Sequence, residues 1–194
     1  LSYNGMTVDS GSCDFLYTGG IINITGINGT LRGGTVTGNA VYDTNTGISD
    51  GDLIADGIPF DVFSGVSGVS ALLRFSGAEP VWSMDFNGTD GTVNGMGFDN
   101  IYGSLRGSGK NITVHTLTCR YKDGTYRAAG QVDLDSRNVD LHVETEHCRL
   151  EQILLAAGRD DWRLTGWIDN VADVRGTLDD PIVTGRVNLS SGSA

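Results

Sequence analysis

The chain has 194 residues, 29 of them glycine and only three proline, with 39% hydrophobic residues and a formal net charge of −11. Glycine at about twice its usual share, without a Gly-X-Y period or a proline excess, excludes collagen and low-complexity disorder. The acidic balance leaves no basic stripe to neutralise phosphates, which sets nucleic acid aside as a partner, and no apolar run approaches the ~18 residues a membrane-crossing helix needs.

Taken in order, the first predicted strands are 15–17, 21–27 and 34–43, with Val36, Gly38, Ala40 and Tyr42 on one face. Asn28-Gly29 carries a tight-turn signal, and Asp43-Thr44-Asn45-Thr46-Gly47 is the next turn. Strands 48–63 and 66–75 follow, the second with Val69, Ala71, Leu73 and Phe75 aligned. Next come 81–86, with Trp82, Met84 and Phe86 in line, and 92–105, broken by Gly95, Gly97 and Gly103.

The clearest ladder runs from Asn111 to Thr145. Ile112 and Val114, then Leu117, Cys119 and Tyr121 after a one-residue bulge, form an inward row. Tyr126, Ala128, Gly130, Val132 and Leu134 return, and Val139, Leu141 and Val143 make a third strand, while Arg127, Gln131, Asp133, Asp140, His142 and Glu144 take the solvated face. Glu146 to Ala157, EHCRLEQILLAA, is instead rich in helix formers and ends at Gly158, which predicts one short helix. The last hairpin places Val174, Gly176 and Leu178 opposite Val183, Gly185, Val187 and Leu189 around Asp179-Asp180-Pro181.

Turn clusters spaced about ten residues apart predict an antiparallel meander rather than βαβ units. The expected fold class is all-β: a long, curled antiparallel sheet with one short helix near 146–157, continuous over 1–194. Roughly seventeen strands at about 4.8 Å each would reach on the order of 80 Å, and open sheets beyond ~10 strands curl, split or pair. One helix cannot cover such a face. Either the sheet folds its dry face onto itself, or it forms a U-shaped trough whose apolar interior takes a guest. Inward glycines at 38, 130, 176 and 185 have two readings. They leave room for acyl chains, or they relieve curvature.

Few residues invite chemistry. Asp140, His142 and Glu144 share a strand face with His147 nearby, a spacing that serves a metal or acid–base cluster and also any solvated strand. Cys119 and Cys148 admit a disulfide, a zinc site or inert thiols, with Cys13 left over. No nucleophile elbow, phosphate loop, zinc-protease motif or complete dinucleotide fingerprint is present, so the expectation is a protein that is not an enzyme, with no cofactor and no metal. Trp82 is placed with the trough lining, whereas Trp162 and Trp167 are expected to seal the helix onto the sheet.

Two passages, GSLRGSGKNITVHTLTCRYKDGTYRAAGQVDL at 103–134 and LTGWIDNVADVRGTLDDPIVTGRVNLSSG at 164–192, together resemble the TamB and AsmA-like family of envelope proteins, and residues 17–43 are similar to the strands upstream of such repeats. The resemblance implies a segment of a larger periplasmic protein of diderm bacteria, anchored elsewhere by an inner-membrane helix. It implies a hydrophobic groove, the β-taco, that carries phospholipid towards the outer membrane, and an Omp85-class partner there. The groove would be lined by Val36, Ala40, Leu73, Phe75, Val114, Leu117, Val132, Leu134, Leu141, Val174, Leu178, Val183 and Val187, with phospholipid acyl chains as the guest. The rival expectation is a structural or chaperone-like platform that pairs an exposed strand edge with an unfolded outer-membrane protein such as an autotransporter.

Overall fold

The computed structural model describes residues 2–3, 6–31, 33–58, 67–79, 81–93, 96–156, 164–177 and 179–190. Thirteen strands follow one another as β1 (Ser2–Tyr3), β2 (Met6–Thr18), β3 (Ile21–Leu31), β4 (Gly34–Asp43), β5 (Ser49–Ile58), β6 (Ser67–Gly77), β7 (Val81–Val93), β8 (Met96–Ser108), β9 (Asn111–Tyr121), β10 (Gly124–Asp133), β11 (Asn138–Arg149), β12 (Trp167–Thr177) and β13 (Asp180–Ser190). Their spatial order is their chain order, every pairing is antiparallel, and together they make one open, curled sheet. The helix α1 (Leu150–Ala156) rests on β8 and β11. Among the described residues no helix is long and apolar enough to cross a membrane.

The all-β meander expected from turn spacing is what forms, with fewer and longer strands. The Asn28-Gly29 turn does not exist: both residues lie inside β3, opposite Ser12 and Gly11 on one side and Thr37 and Val36 on the other. Pairing on both flanks overrides the local turn preference, and the chain reverses about four residues later, at Gly33. Residues 92–105 are not one strand but the end of β7 and the start of β8. The helix is shorter than its sequence signal because Glu146 pairs with Thr125 and Cys148 with Ile168, which keeps 146–149 in β11.

The sheet contains an internal duplication. Met6–Thr18, Ile21–Leu31 and Gly34–Asp43 recur 90 positions later as Met96–Ser108, Asn111–Tyr121 and Gly124–Asp133. The Ile24↔Ala40 and Ile27↔Gly38 pairs that bracket a bulge recur as Val114↔Gly130 and Leu117↔Ala128. A second bulge, between Ala55 and Ile58, recurs between Thr145 and Cys148. Left-handed backbone falls at the same places, φ 67° at Gly57 and 50° at His147. β12 and β13 then repeat β6 and β7, the longer connection from β11 to β12 holding α1.

The chain exposes 12046 Å², whereas a compact monomer of its 20.5 kDa exposes about 8,800 Å². The excess is what a sheet without a second layer produces. Burial concentrates around Phe98, Ile101 and Cys119, with Phe86, Leu117 and Tyr126 packed against them. Nearby, Cys148, Leu154 and Ile168 are buried where α1 meets the sheet.

Candidate functional site

Cross-strand partners share a face, so the register converts the sequence into rows that run perpendicular to the strands. One row reads Gly11, Gly29, Val36, Ala55, Ala71, Phe86, Gly103, Leu117, Ala128, Val143, Ala172 and Gly185. The next reads Ile27, Gly38, Leu53, Leu73, Met84, Leu105, Val114, Gly130, Leu141, Val174 and Val183. A third reads Phe15, Ile24, Ala40, Gly51, Phe75, Trp82, Gly107, Ile112, Val132, Val139, Gly176 and Pro181. None of the three contains a polar or charged side chain. From β2 to β13 they form a band about 53 Å long and roughly 13 Å between its outer rows.

Most side chains of the band are half-buried, while those between them, such as Asn39, Asp52, Arg74, Asp85 and Asp140, are exposed. The exceptions cluster at the ends, where Phe15 is 74% and Val183 62% exposed. The predicted lining falls largely on this band: Val36 and Leu117 in the first row, Leu73, Val114, Leu141, Val174 and Val183 in the second, Ala40, Phe75 and Val132 in the third. Val187 lies beside it, opposite Asn170. Leu134 does not line it: β10 ends at Asp133, and Leu134 sits 53% exposed in the following turn, its N–H donating to the Lys110 carbonyl at 2.9 Å. Leu178 lies outside the described residues. The sequence does not show Leu53 and Ala55 in 48–63, or Leu105 beyond the glycines of 92–105, as part of the lining, while Ala71, already in line with Leu73 and Phe75, and Ala172 join it through register.

The inward glycines do not leave room. A Cβ on Gly51 would come within 2.6 Å of the Phe75 ring and one on Gly103 within 2.8 Å of Phe86, while one on Gly107 would overlap the Trp82 indole. Those rings occupy the space beside the glycines of the adjoining strand. At Gly38, Gly130 and Gly185 the overlap is with backbone carbonyl oxygens of the neighbouring strand, Asp52, Asp140 and Val171. At Gly176, with φ +104°, the Asp180 oxygen is 3.0 Å away. Glycine is therefore required by close strand approach and curvature, and these positions leave no vacant space in the sheet.

On the polar face, His142 Nδ1 meets Asp173 Oδ1 at 2.8 Å and Nε2 meets Glu144 Oε1 at 3.5 Å, while Arg175 donates to Asp140 at 3.1 Å. His147 faces elsewhere: its ring stacks on Trp167 at 4.1 Å, with the Arg149 guanidinium 4.3 Å from the same indole. Trp167 thus packs between two β11 side chains, and Trp162 lies outside the described residues. The Asp140–His142–Glu144 pattern is a set of surface ion pairs, and among the described residues no group of three His, Cys, Asp or Glu side chains is placed to hold a metal. Hydrogen bonding to Asp173 raises the His142 pKa above 6.5, and the same bond lowers Asp173 below 3.8. The raised imidazole adds stability that is full below pH ~6.5 and fades as pH rises through its folded pKa, while Asp173's contribution fades as pH falls through its own. Titration of His142 by NMR should give a midpoint above that of free histidine, and Asp173→Asn should lower it, with Glu144 still holding part of the rise.

Cys119 and Cys148 are both buried and free. They sit on β9 and β11 with β10 between them, so their Cα atoms are about 9.6 Å apart at least, beyond the ~7 Å a disulfide tolerates. Burial pushes the Cys119 thiol up to about 11 and raises Cys148 as well, which keeps both protonated and unreactive at neutral pH. The chain matches no family model, no curated protein and no solved structure.

Proposed function

We propose that this chain is a segment of a phospholipid-carrying groove of the TamB and AsmA-like kind, working in the periplasm by partition rather than by reaction. The observation that carries the reading is the apolar band that runs across the strands from β2 to β13 and that no second sheet covers among the described residues. Acyl chains lie along the band with headgroups towards its polar margins, and delivery to an Omp85-class outer-membrane protein belongs to the longer protein. An open face shields about half of each methylene, worth roughly 0.4 kcal/mol instead of the ~0.8 of full burial. A lipid is therefore held more weakly than in a bilayer and is readily handed on. No side chain on the band clamps a headgroup, so sliding between strands meets no deep well.

The experiment is native mass spectrometry and lipid extraction of protein purified without detergent, followed by titration with a fluorescent fatty acid. Co-purifying phospholipid and saturable fatty-acid uptake are expected. Lipid-free protein that takes up no fatty acid overturns the reading.

A further inference from the structure

We infer that the stretch from β8 to β12 holds phospholipid one way round, with a zwitterionic headgroup on the margin of turns that carries Lys110 and Arg137 and the chain ends against α1. The inference rests on the lipid-carrying reading and adds to it a headgroup class and an orientation. The apolar band has two margins, one at each end of its strands. Between β8 and β12 they are unlike.

At one margin the protein covers its own apolar surface. The helix α1 rests on β8 and β11, Leu154 within it is buried, and beside the first row Phe98, Ile101 and Cys119 are buried too. Phe86 and Leu117 of the first row pack against that cluster, so an acyl chain that follows the strands from the far side is stopped there. The length fits. From Asn111 at the far margin to Leu117, with one residue taken up by the bulge near His115, the strand runs roughly 17 Å at about 3.4 Å per residue. One leaflet of a bilayer is about 15 Å of hydrocarbon, half of the ~30 Å core.

The far margin is charged. The turns β8–β9, β10–β11 and β12–β13 reach it about 9.6 Å apart, two strand spacings each, and on or beside them lie Lys110, Arg137, Asp133, Asp135, Asp179 and Asp180. Lys110 pairs with Asp135, and Arg137 Nη2 meets Asp179 Oδ1 at 3.1 Å, while the Leu134 N–H donates to the Lys110 carbonyl and ties the first two turns together. Cation and carboxylate thus alternate along the rim. A phosphate that takes Lys110 or Arg137 leaves a carboxylate without its cation, and an ammonium in the same headgroup replaces what was lost. A headgroup with a phosphate and no ammonium leaves those carboxylates uncompensated, on a chain whose net charge is already −11. The rim therefore matches an ethanolamine or choline headgroup better than a glycerol one. Among the described residues the turns at this margin between β2 and β7 carry Asp43 and Glu79 but no cation, which confines the match to β8–β12.

The test titrates the chain with two phospholipids that share the same fluorescent acyl chains, a phosphatidylcholine and a phosphatidylglycerol. Phosphatidylcholine should bind about fivefold more tightly at 0.01 M salt and less than about twofold more tightly at 1 M, where the Debye length has fallen from ~30 Å to ~3 Å. Asp135→Lys should move the ratio about threefold towards phosphatidylglycerol. Asp123→Lys makes the same change of charge in the β9–β10 turn, at the α1 margin, and should leave the ratio nearly unchanged. A photoreactive group at the end of the acyl chain should label Leu117, Cys119 or α1, and one on the headgroup should label 109–110 or 134–137. Equal affinity for the two lipids at low salt, an equal response to the two variants, or labelling the other way round overturns the inference and leaves the lipid-carrying reading standing. Uptake of neither lipid overturns that reading and the inference with it. Should Asp135→Lys fail to fold, the affinity ratio and the labelling of the unaltered chain decide.

Discussion

Gly130→Ala is expected to lower stability by roughly 2–6 kcal/mol, combining about 1–3 for a backbone region that side-chain-bearing residues avoid with about 1–3 for overpacking. Gly130 has φ +142°, and a Cβ there overlaps the Asp140 carbonyl oxygen and lies 2.9 Å from Leu141 Cα. It cannot retreat, because β10 is held by Val114 of β9 on one side and Leu141 of β11 on the other. Gly109 is the control: φ is +57°, nothing lies within 4 Å, and Gly109→Ala should cost about 1 kcal/mol. Gly185→Ala should fall between them. Its Cβ overlaps the Val171 carbonyl, but among the described residues β13 pairs with β12 alone, and it can shift more readily than β10. Because a sheet of repeated units need not unfold in one step, hydrogen exchange is the better readout alongside a melting midpoint about 10 °C lower for Gly130→Ala. Loss of protection should be confined at first to β9–β11. Equal costs at Gly130 and Gly109 would show that strand approach does not fix this glycine.

Much of the architecture was legible because polar and apolar residues alternate along the strands of 111–145 and 171–189. The bulge between Val114 and Leu117 was readable from a single slip in that alternation, and the structure places it there. Other features were hidden for physical reasons. Asn28-Gly29 has ideal turn chemistry, yet β2 and β4 pair with it on both sides, and a local signal cannot report a distant partner. The start of the helix was lost in the same way, since Glu146 to Arg149 obey strand pairing against their own propensity. The duplication leaves only scattered identities at a spacing of 90, among them Asp9 and Asp99, Gly19 and Gly109, Ile22 and Ile112, Gly34 and Gly124, Asp43 and Asp133. Gly19 and Gly109 and the residues 34, 43, 124 and 133 mark turns or strand ends, where the backbone is demanding, while the rows between them accept varied apolar residues.

The band was legible residue by residue but its continuity was not. Val114 and Leu141 announce an inward face on their own strands. That they stand in one line with Leu53, Leu73, Met84 and Leu105 depends on register, which bulges and turn lengths set across many strands. The glycines were the harder case. Absent side chains suggest space in a sequence, but in three dimensions the space is filled by Phe75, Phe86 and Trp82 or by a neighbouring backbone.

On the proposed lipid-carrying function, continuity of the band decides which substitutions stop transfer. An acyl chain is about 4–5 Å wide by carbon contact distances, and the band is roughly 13 Å between its outer rows, so one polar residue can be bypassed along an adjacent row. Val114→Glu alone should slow transfer of a fluorescent phospholipid between vesicles less than threefold. A bar across all three rows on β9, Ile112→Lys with Val114→Glu and Leu117→Lys, leaves no detour. About four methylenes must then face hydrated charges, a loss of about 1.6 kcal/mol at ~0.4 kcal/mol each for a half-covered chain, which corresponds to a rate more than tenfold lower. All three positions are half-buried, but Leu117 packs against the Phe98, Ile101 and Cys119 core, so the triple variant must keep the circular dichroism and melting midpoint of the unaltered chain for its transfer rate to count. The same charges at Thr113, His115 and Thr116, the polar residues between them, should leave transfer within twofold of the unaltered protein. Equal inhibition by both triple variants would mean that the sheet is only a support, and that lipid, if it moves at all, does not travel along this band.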